Sequence, residues 1–328
     1  MVKEIVLANA PSLGLPVVEL GRSDSTFDVK ELELPELKDD QLLLQTIFLS
    51  NDPAQRGWIQ KDQNPERAYL PPILPGTLVQ CYGGWAEKLV IDAKDAFAIP
   101  DLPGLSPSVF LGAVGVPGIT AYFGLNDVCK LKEGQDIIIS GAAGATGNVA
   151  VQLAKHVFKA NKVIAIAGSD EKCEWLKKIG ADIALNYKSP AFSQALIEAA
   201  KPSYVDCYFD NVGGAILNAC LPLIKRNGCV AACGAISAYN DSSQMVLTNW
   251  TEIIINRITV QGYIVMDYYH RRAEAIEMIT SAIKEDKLSV AGGETIVRCT
   301  EFEKVPEVWI KLFRGENTGK LVTQIADL

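Results

Sequence analysis

Three glycines at a spacing of three, Gly141, Gly144 and Gly147, form the stretch of this chain with the clearest chemical potential. They follow the β-branched run of residues 137–139 (III), which predicts a buried parallel strand. Apolar residues then recur every four positions over residues 149–157, as on the buried side of a helix. A strand, a glycine turn and a helix in this order predict a site where backbone N–H groups and a helix N-terminus bind a dinucleotide pyrophosphate.

The glycine spacing is G-x-x-G-x-x-G, which differs from the dinucleotide fingerprint G-x-G-x-x-G. An ordinary tight turn between a strand and a helix is therefore the alternative interpretation of residues 141–147. The segments that follow favour the dinucleotide.

The end of the next predicted strand indicates which dinucleotide would bind. An NAD enzyme usually has a carboxylate there that holds the ribose 2′-hydroxyl. This chain has Gly168 and Ser169 at the strand end and a cation at Lys172, which suits a 2′-phosphate and hence NADPH. Asp170 is a carboxylate close to this strand end, which would not suit a 2′-phosphate. We interpret it as a residue of the first turn of the following helix, with Ser169 as the N-cap. The alternative is that Lys172 is an ordinary solvated helix lysine.

Three later strand ends carry small or polar residues where a backbone could approach a cofactor. They are residues 210–214 (DNVGG), 234–240 (GAISAYN) and 263–269 (YIVMDYY). Each could be an ordinary loop. Ligands of doubly wound sheets bind beyond the carboxyl ends of the strands. The occurrence of all three segments at that one edge therefore favours a cofactor cleft.

Two domains are expected from the distribution of these elements. Residues 113–293 alternate apolar strands with helices, which predicts an α/β domain with a doubly wound parallel Rossmann sheet of six strands. Residues 1–112 are rich in prolines and in predicted strands, among them residues 41–50 and the alternating residues 85–91, and they indicate a β domain, a partial barrel, to which residues 294–328 return.

Composition excludes several classes of protein. A net charge of −8 over 328 residues argues against nucleic acid or an anionic membrane as the main partner. The sequence has no apolar run of the ~18–20 residues that span a bilayer, and its charged start does not resemble a signal peptide, so we expect cytoplasmic residence. The eight cysteines are scattered as in a reduced protein, and with only two histidines we predict no metal site.

Six segments, in order, resemble the zinc-independent medium-chain dehydrogenase/reductases of the prostaglandin reductase and alkenal double-bond reductase branch. These segments are residues 141–147 (GAAGATG), 168–172 (GSDEK), 186–188 (NYK), 210–214 (DNVGG), 233–240 (CGAISAYN) and 317–322 (NTGKLV). Residues 51–58 (NDPAQRGW) are similar to a further family stretch, in a form like that of fungal members. The resemblance covers nearly the whole chain, and it implies a GroES-like fold for the β-rich domain and a homodimer formed through the last Rossmann strand.

The resemblance also implies roles for individual residues. Lys172 and Tyr187 would hold the 2′-phosphate, and Tyr239 would lie nearest to the substrate carbonyl. The residues it assigns to NADPH are Ala143, Gly144, Ala145, Thr146, Gly147, Gly168, Ser169, Lys172, Tyr187, Asn211, Gly234, Ser237, Tyr239, Tyr263, Ile264, Val265 and Asn317. Those it assigns to the substrate are Asn51, Arg56, Tyr239 and Tyr263.

The reaction implied by the resemblance is reduction of the double bond of an α,β-unsaturated aldehyde or ketone. Hydride would reach the β-carbon, and the Tyr239 phenol would stabilise the negative charge on the carbonyl oxygen. The alternative for Tyr239 is an aromatic loop anchor. The alternative activities are a quinone or carbonyl reductase of the same superfamily and an NADPH-binding protein with little turnover.

The sequence departs from the family pattern at two places. Ala54 stands where the family commonly has a tyrosine, so that aromatic substrate contact is absent. Residues 73–84 are too few for the two barrel strands that the family has between its Pro-Pro and Gly-Trp landmarks. Either the first domain is shortened here or a segment is missing from the sequence.

Overall fold

A computed structural model describes residues 1–12, 14–39, 41–60, 84–92 and 102–327. The chain forms two compact units. The first comprises Met1–Ser108, Ile296–Glu316 and Leu321–Leu328, and the second comprises Val109–Thr295 and Asn317–Lys320. The assignment of substrate binding to the first unit and of cofactor binding to the second stays a prediction.

The helices and strands have the following bounds. The strands are β1 (Val2–Leu7), β2 (Phe27–Leu32), β3 (Gln41–Gln45), β4 (Phe48–Ser50), β5 (Trp85–Ala86), β6 (Lys88–Asp92), β7 (Asp136–Ile139), β8 (Lys162–Ala167), β9 (Ile183–Asn186), β10 (Val205–Asp210), β11 (Ile224–Ala232), β12 (Thr259–Gly262), β13 (Glu294–Arg298) and β14 (Lys320–Gln324). The α-helices are α1 (Gln55–Trp58), α2 (Val116–Phe123), α3 (Ala145–Gln152), α4 (Asp170–Lys178), α5 (Phe192–Ala200), α6 (Gly214–Cys220), α7 (Trp250–Asn256), α8 (Arg272–Lys284) and α9 (Val305–Arg314).

The second unit is built on a six-stranded sheet in the order β12-β11-β10-β7-β8-β9, with every neighbouring pair parallel. All four residues of β7 are buried, as its unbroken isoleucines require of a strand covered on both faces. On one face Ile138, Tyr208 and Val230 join a core with residues of α5 and α6. This order confirms the predicted doubly wound Rossmann sheet.

The helix after the glycine turn changes its pitch. It runs as α3 to Gln152 and continues as a π-helical segment, Leu153–Val157, in which the N–H of Phe158 donates to the carbonyl of Leu153. Val149 and Leu153 are fully buried, as the four-residue repeat predicted. Val157 is only partly buried, because the wider π turn rotates it away from that stripe.

The first unit contains small antiparallel sheets in place of long strands. The predicted strand over residues 85–91 is divided at Glu87 into β5, which pairs with β1, and β6, which pairs with β3. The Glu87 carboxylate accepts a hydrogen bond from the backbone N–H of Lys3 at 2.9 Å, which fixes this corner. Residues 41–50, expected as one strand, likewise divide into β3 and β4, which pair with β6 and β14.

The core of the first unit is aromatic. Phe27, Trp85 and Trp309 are buried with ring centroids 5.4–5.9 Å apart. The short stretch that the sequence analysis noted at residues 73–84 lies outside the described residues, except for Gly84. Within the part of the chain that the structure describes, no helix is long and apolar enough to cross a membrane.

Candidate functional site

The glycine turn joins β7 to α3 at the carboxyl edge of the Rossmann sheet. Gly141 has a φ of +56°, in the left-handed region that favours glycine. A Cβ on Gly147 would lie 2.3 Å from the carbonyl oxygen of Gly141, so only glycine permits this close packing of the helix against the turn. Gly144 is the N-cap of α3, and no side chain among the described residues caps this helix end. The first N–H groups of α3 therefore form a place where an anion could bind.

A segment from the end of the chain lies against the same turn. The N–H of Gly319 donates to the carbonyl of Ala143 at 2.8 Å, and Gly144 and Gly319 form a parallel bridge. A Cβ on Gly319 would lie 1.9 Å from the carbonyl oxygen of Gly293, and its φ is +66°. The Asn317 side chain donates to the carbonyl of Gly319 at 2.7 Å. Asn317, assigned to the cofactor from sequence, is thus fixed beside the glycine turn.

Residues 210–214, called here the Asp210 loop, are organised by one buried carboxylate. Asp210 is 1% exposed and accepts hydrogen bonds from the hydroxyls of Tyr208 (2.6 Å) and Ser140 (2.9 Å). The backbone N–H groups of Val212 and Gly213 donate to the same carboxylate at 3.0 Å. Burial and the adjacent Asp210 raise the pKa of Tyr208 well above its usual value, so the phenol keeps the proton that it donates.

This carboxylate also fixes Asn211 indirectly. Ser140, which donates to Asp210, accepts the backbone N–H of Asn211 at 3.0 Å, and its carbonyl accepts the Asn211 side-chain amide at 2.7 Å. The family resemblance predicts a cofactor contact for Asn211, whereas no role was predicted for Asp210, Ser140 or Tyr208. The available signal was the carboxylate of Asp210 directly after the buried run of residues 207–209.

Residues 168–172 together with residues 186–188, called here the lysine segment, follow β8 and β9. Ser169 is the N-cap of α4 and accepts the N–H of Lys172 at 3.3 Å, as predicted. Asp170 begins α4, and its carboxylate accepts the Asn186 amide at 2.9 Å. Desolvation, and secondarily the charge of Lys188, lower the pKa of Lys172. A second ammonium group that disfavours the charge of Lys172 makes this place suitable for a bound anion.

The tyrosine of the lysine segment packs on a glycine. A Cβ on Gly168 would lie 3.0 Å from the Tyr187 ring. The ring is 45% exposed, and the Lys188 ammonium lies 5.9 Å from its centroid. The residues assigned to the 2′-phosphate from sequence, Lys172 and Tyr187, therefore belong to one partly exposed group at one edge of the sheet.

Residues 234–239 pack against the Asp210 loop. The N–H of Gly234 donates to the Asp210 carbonyl at 3.1 Å, and the Ser237 hydroxyl donates to the Val212 carbonyl at 2.6 Å. The Tyr239 hydroxyl accepts the N–H of Ala235 at 3.3 Å. This bond attaches the Tyr239 phenol to the backbone of residues 234–239.

Tyr263 is turned into the second unit. Its side chain is 8% exposed, and its hydroxyl donates to the carbonyl of Thr120 at 2.9 Å. Gly124 leaves the space for this ring, since a Cβ there would lie 2.2 Å from the Tyr263 hydroxyl. Burial raises the pKa of the phenol well above its usual value. The Tyr263 side chain is thus directed into the second unit. The contacts predicted for Tyr263 with cofactor and substrate, and for Ile264 and Val265 with the cofactor, stay predictions.

The two substrate residues predicted in the first unit are interior residues of that unit. Asn51 and Arg56 are each 1% exposed. The Asn51 amide donates to the Thr323 hydroxyl at 2.9 Å, and the Arg56 guanidinium donates to the carbonyl of Gly14 at 3.2 Å. Both hold the unit together, and their contact with a substrate stays a prediction.

The chemistry of these donors fits a dinucleotide. The α3 N-terminus suits a pyrophosphate, and Lys172 and Lys188 suit a further phosphate. Within the described residues, no three His, Cys, Asp or Glu side chains are grouped as metal ligands. A Rossmann sheet with this edge defines a dinucleotide-binding protein.

Comparisons with known proteins give the family. Residues 145–281 match the family described as "Zinc-binding dehydrogenase", and residues 18–73 match "N-terminal domain of oxidoreductase". Prostaglandin reductase 1 of Bos taurus is 37% identical over 318 residues, which cover 92% of this chain and 94% of that protein. The chain belongs to the zinc-independent medium-chain dehydrogenase/reductases, in the branch of the prostaglandin and alkenal reductases.

Other relatives extend over the whole chain. The NADP⁺-dependent 2-alkenal reductase of Nicotiana tabacum is 32% identical and covers 99% of this chain and 97% of its own length. A Saccharomyces cerevisiae protein named as an uncharacterized membrane protein, YML131W, is 36% identical and covers 99% and 98%. The crystal structure of CurA from Vibrio vulnificus in complex with NADPH superposes with a TM-score of 0.85 at 28% identity, covering 99% of this chain and 100% of that one.

Proposed function

We propose that this protein reduces the C=C bond of α,β-unsaturated aldehydes and ketones with NADPH as the reductant. The proposal is supported by the family, whose members include a 2-alkenal reductase, and by the relative CurA, which binds NADPH. The observation that carries it is the convergence of residues 234–239 and the glycine turn on the Asp210 loop.

The cofactor would be held by the carboxyl edge of the Rossmann sheet. The pyrophosphate would lie at the uncapped N-terminus of α3, beside Asn317. The 2′-phosphate would lie among Lys172, Lys188 and Tyr187. When bound, NADPH supplies the hydride that adds to the β-carbon of the substrate.

Tyr239 is proposed as the donor to the substrate carbonyl oxygen. Hydride addition places negative charge on that oxygen, and a hydrogen-bond donor already in position stabilises it. The Tyr239 oxygen accepts the N–H of Ala235 at 3.3 Å, and this bond helps to fix the position of the phenol. Gly234 leaves room for the phenol, because a Cβ at this position would lie only 3.2 Å from the Tyr239 oxygen.

A substrate panel tests the activity. NADPH oxidation is followed with enals, enones, quinones and saturated aldehydes, and the products are identified by mass spectrometry. We expect the highest kcat/KM with enals or enones and a product that keeps its carbonyl group. Faster turnover of quinones, or reduction at the carbonyl, would replace this proposal with a quinone or carbonyl reductase. Tight NADPH binding without turnover of any compound would indicate a binding protein.

The Tyr239→Phe variant tests the proposed donor. We expect kcat/KM for an enone to fall by about 10²–10³-fold, the usual cost of removing one such donor. Tyr204→Phe, which removes the same atom from a tyrosine that is 39% exposed elsewhere in the second unit, is the matched control. Unchanged kcat/KM in Tyr239→Phe would remove this phenol from the mechanism.

We further propose that the protein forms a homodimer through β12. All four residues of this edge strand are exposed, and Trp250, Ile254 and Ile255 of the neighbouring α7 are 57–65% exposed. Among the described residues β12 pairs with β11 on one side only, and an open sheet edge beside exposed apolar side chains favours association with another strand, here that of a second copy. Ile254→Glu should shift the mass measured by light scattering from dimer to monomer, and a monomeric native protein would contradict the proposal.

We also propose that the protein resides in the cytoplasm. The name of its yeast relative makes this worth testing directly. Cell fractionation should recover the protein with the cytosolic fraction, and recovery with membranes after a salt wash would contradict this.

A further inference from the structure

Three thiols meet on the face of the Rossmann sheet that packs against the π-helical segment Gly124–Val128. Cys207 of β10 and Cys229 of β11 are direct partners in the register of these parallel strands. The Cys207 thiol donates to the carbonyl of Cys129 at 3.6 Å, and the Cys229 thiol donates to the carbonyl of Val128 at 3.4 Å. Both strand cysteines thus reach the end of the same helical segment, where Cys129 contributes the third thiol.

The three thiols differ in environment. Cys129 and Cys207 are buried, whereas Cys229 is partly exposed. The Cys129 thiol interacts with both strand thiols, those of Cys207 and Cys229. Interaction with Cys129, together with the charge of Lys130, lowers the pKa of Cys229, and interactions with Cys207 and Cys229, together with burial, raise the pKa of Cys129. The partly exposed thiol is therefore the one that more readily becomes a thiolate, the reactive form.

The second unit also contains thiols that lack this arrangement. Cys220 is fully buried, and burial and the charge of Asp210 raise its pKa. Burial raises the pKa of Cys233 to about 12. A reagent that attacks thiolates should therefore distinguish Cys229 from both.

We propose that Cys229 is a hydroperoxide-sensitive thiol that, once oxidised, forms a reversible disulfide with Cys129. This inference does not depend on the substrate of the enzyme. It depends on a partly exposed thiol whose sulfur lies 3.4 Å from the carbonyl of Val128, next to the buried Cys129.

The chemistry proceeds in two steps with a hydroperoxide as the oxidant. The Cys229 thiol loses its proton, and the thiolate attacks the terminal oxygen of the hydroperoxide. The O–O bond breaks, Cys229 becomes a sulfenic acid, and the oxygen that leaves takes up that proton and departs as an alcohol, or as water from hydrogen peroxide. The Cys129 sulfur then attacks the Cys229 sulfur, the S–O bond breaks, and the hydroxyl leaves as water with the Cys129 proton. Two thiols are oxidised by two electrons, and one hydroperoxide is reduced.

The full-length protein is treated with hydrogen peroxide, the remaining thiols are alkylated, and the peptides are mapped by mass spectrometry. We expect the peptides of Cys129 and Cys229 to be joined with the loss of two hydrogen atoms, and dithiothreitol to separate them. In Cys129→Ser we expect Cys229 to stay as a sulfenic acid that dimedone traps. Cys229→Ser should give neither product, and Cys220→Ser should behave as the wild-type protein.

Mapping of the wild-type protein decides the question even if a serine variant fails to fold. No cross-link after peroxide treatment would overturn the proposal. A cross-link between Cys207 and Cys229 would overturn the role of Cys129. Earlier oxidation of Cys173 or Cys299 than of Cys229 would overturn the selectivity.

Discussion

Two loops at the same edge of the Rossmann sheet are built on opposite principles. The Asp210 loop is held by a carboxylate that is 1% exposed and that accepts hydrogen bonds from two hydroxyls and two backbone N–H groups. The lysine segment presents side chains instead: Tyr187 is 45% exposed, and the charge of Lys188 contributes to lowering the pKa of Lys172.

The two loops therefore contribute differently to binding: one provides a fixed backbone conformation, and the other discriminates between ligands. A loop fixed from inside can present its backbone to a cofactor at little further cost, because its conformation does not depend on the ligand. Charged side chains at the surface cost little folding free energy and can discriminate between ligands by charge. We therefore expect changes in the Asp210 loop to affect stability and changes in the lysine segment to affect cofactor choice.

The largest effect is expected from Asp210→Ala. Removing the carboxylate leaves the hydroxyls of Tyr208 and Ser140 and two backbone N–H groups without their acceptor, which should lower the free energy of unfolding by about 3–5 kcal/mol. Urea unfolding measures this loss. Asp241→Ala is the matched control, because Asp241 also accepts a backbone N–H but at the surface, and its loss should be much smaller. Equal losses would show that burial of Asp210 does not matter.

The same substitution in each loop gives the second test. In Gly214→Ala the new Cβ would lie 2.5 Å from the backbone oxygen of Gln244 at a φ of +50°, so we expect a loss of about 2–4 kcal/mol. In Gly168→Ala the Cβ meets the Tyr187 ring at 3.0 Å, and a partly exposed side chain can move. Its loss of stability should stay below about 1 kcal/mol. Thermal unfolding of both variants provides the comparison, and a Gly168→Ala variant as unstable as Gly214→Ala would contradict it.

The sequence allowed the elements of this edge to be predicted, but not the bonds that fix them. The isoleucines of β7 and the glycine turn predicted the strand, the turn and the helix, because β-branched runs and glycine spacing are local signals. The acceptor role of Asp210 depends on Ser140, 70 positions earlier in the chain. No local pattern indicates such a pair.

The direction of side chains is the second feature that could not be predicted from the sequence. Tyr263 follows the last Rossmann strand, and the sequence assigned it to cofactor and substrate. The structure turns it inward because Gly124, which is distant in sequence, leaves room for its hydroxyl. In the first unit, residues 85–91 alternate as one strand, yet Glu87 divides them between two partners. In both places tertiary contacts, which no local pattern contains, decide where the side chain or the strand lies.

Cofactor choice gives the third test. Lys172→Ala should raise the KM ratio of NADPH to NADH by about 10–100-fold, since a hydrogen bond to a charged group contributes about 1.5–3 kcal/mol. Its free energy of unfolding should stay close to that of the wild-type protein, because Lys172 is partly exposed. Lys178→Ala, at the other end of α4, is the control and should leave the ratio unchanged. An unchanged ratio in Lys172→Ala would remove this lysine from the 2′-phosphate site.

The smallest effect is a dependence on pH that only the lysine segment should show. Desolvation and Lys188 place the pKa of Lys172 in the free protein below the usual 10.5, so this ammonium loses its proton earlier than an exposed lysine as the pH rises. Attraction for a 2′-phosphate is lost with that proton. The kcat/KM for NADPH should therefore decrease with rising pH before pH 10.5, relative to that for NADH, which carries no 2′-phosphate.

The lowered pKa of Lys172 has the opposite effect on the free energy of unfolding. Between the lowered pKa of the folded protein and the usual value, the unfolded chain binds more protons at Lys172, so the free energy of unfolding contributed by this residue rises with pH. Cofactor selectivity and stability should thus change in opposite directions over one pH range. Both changes should disappear in Lys172→Ala. If the selectivity change persists in that variant, a different group causes it. The lysine segment would then not be the part of this edge that selects the cofactor by charge.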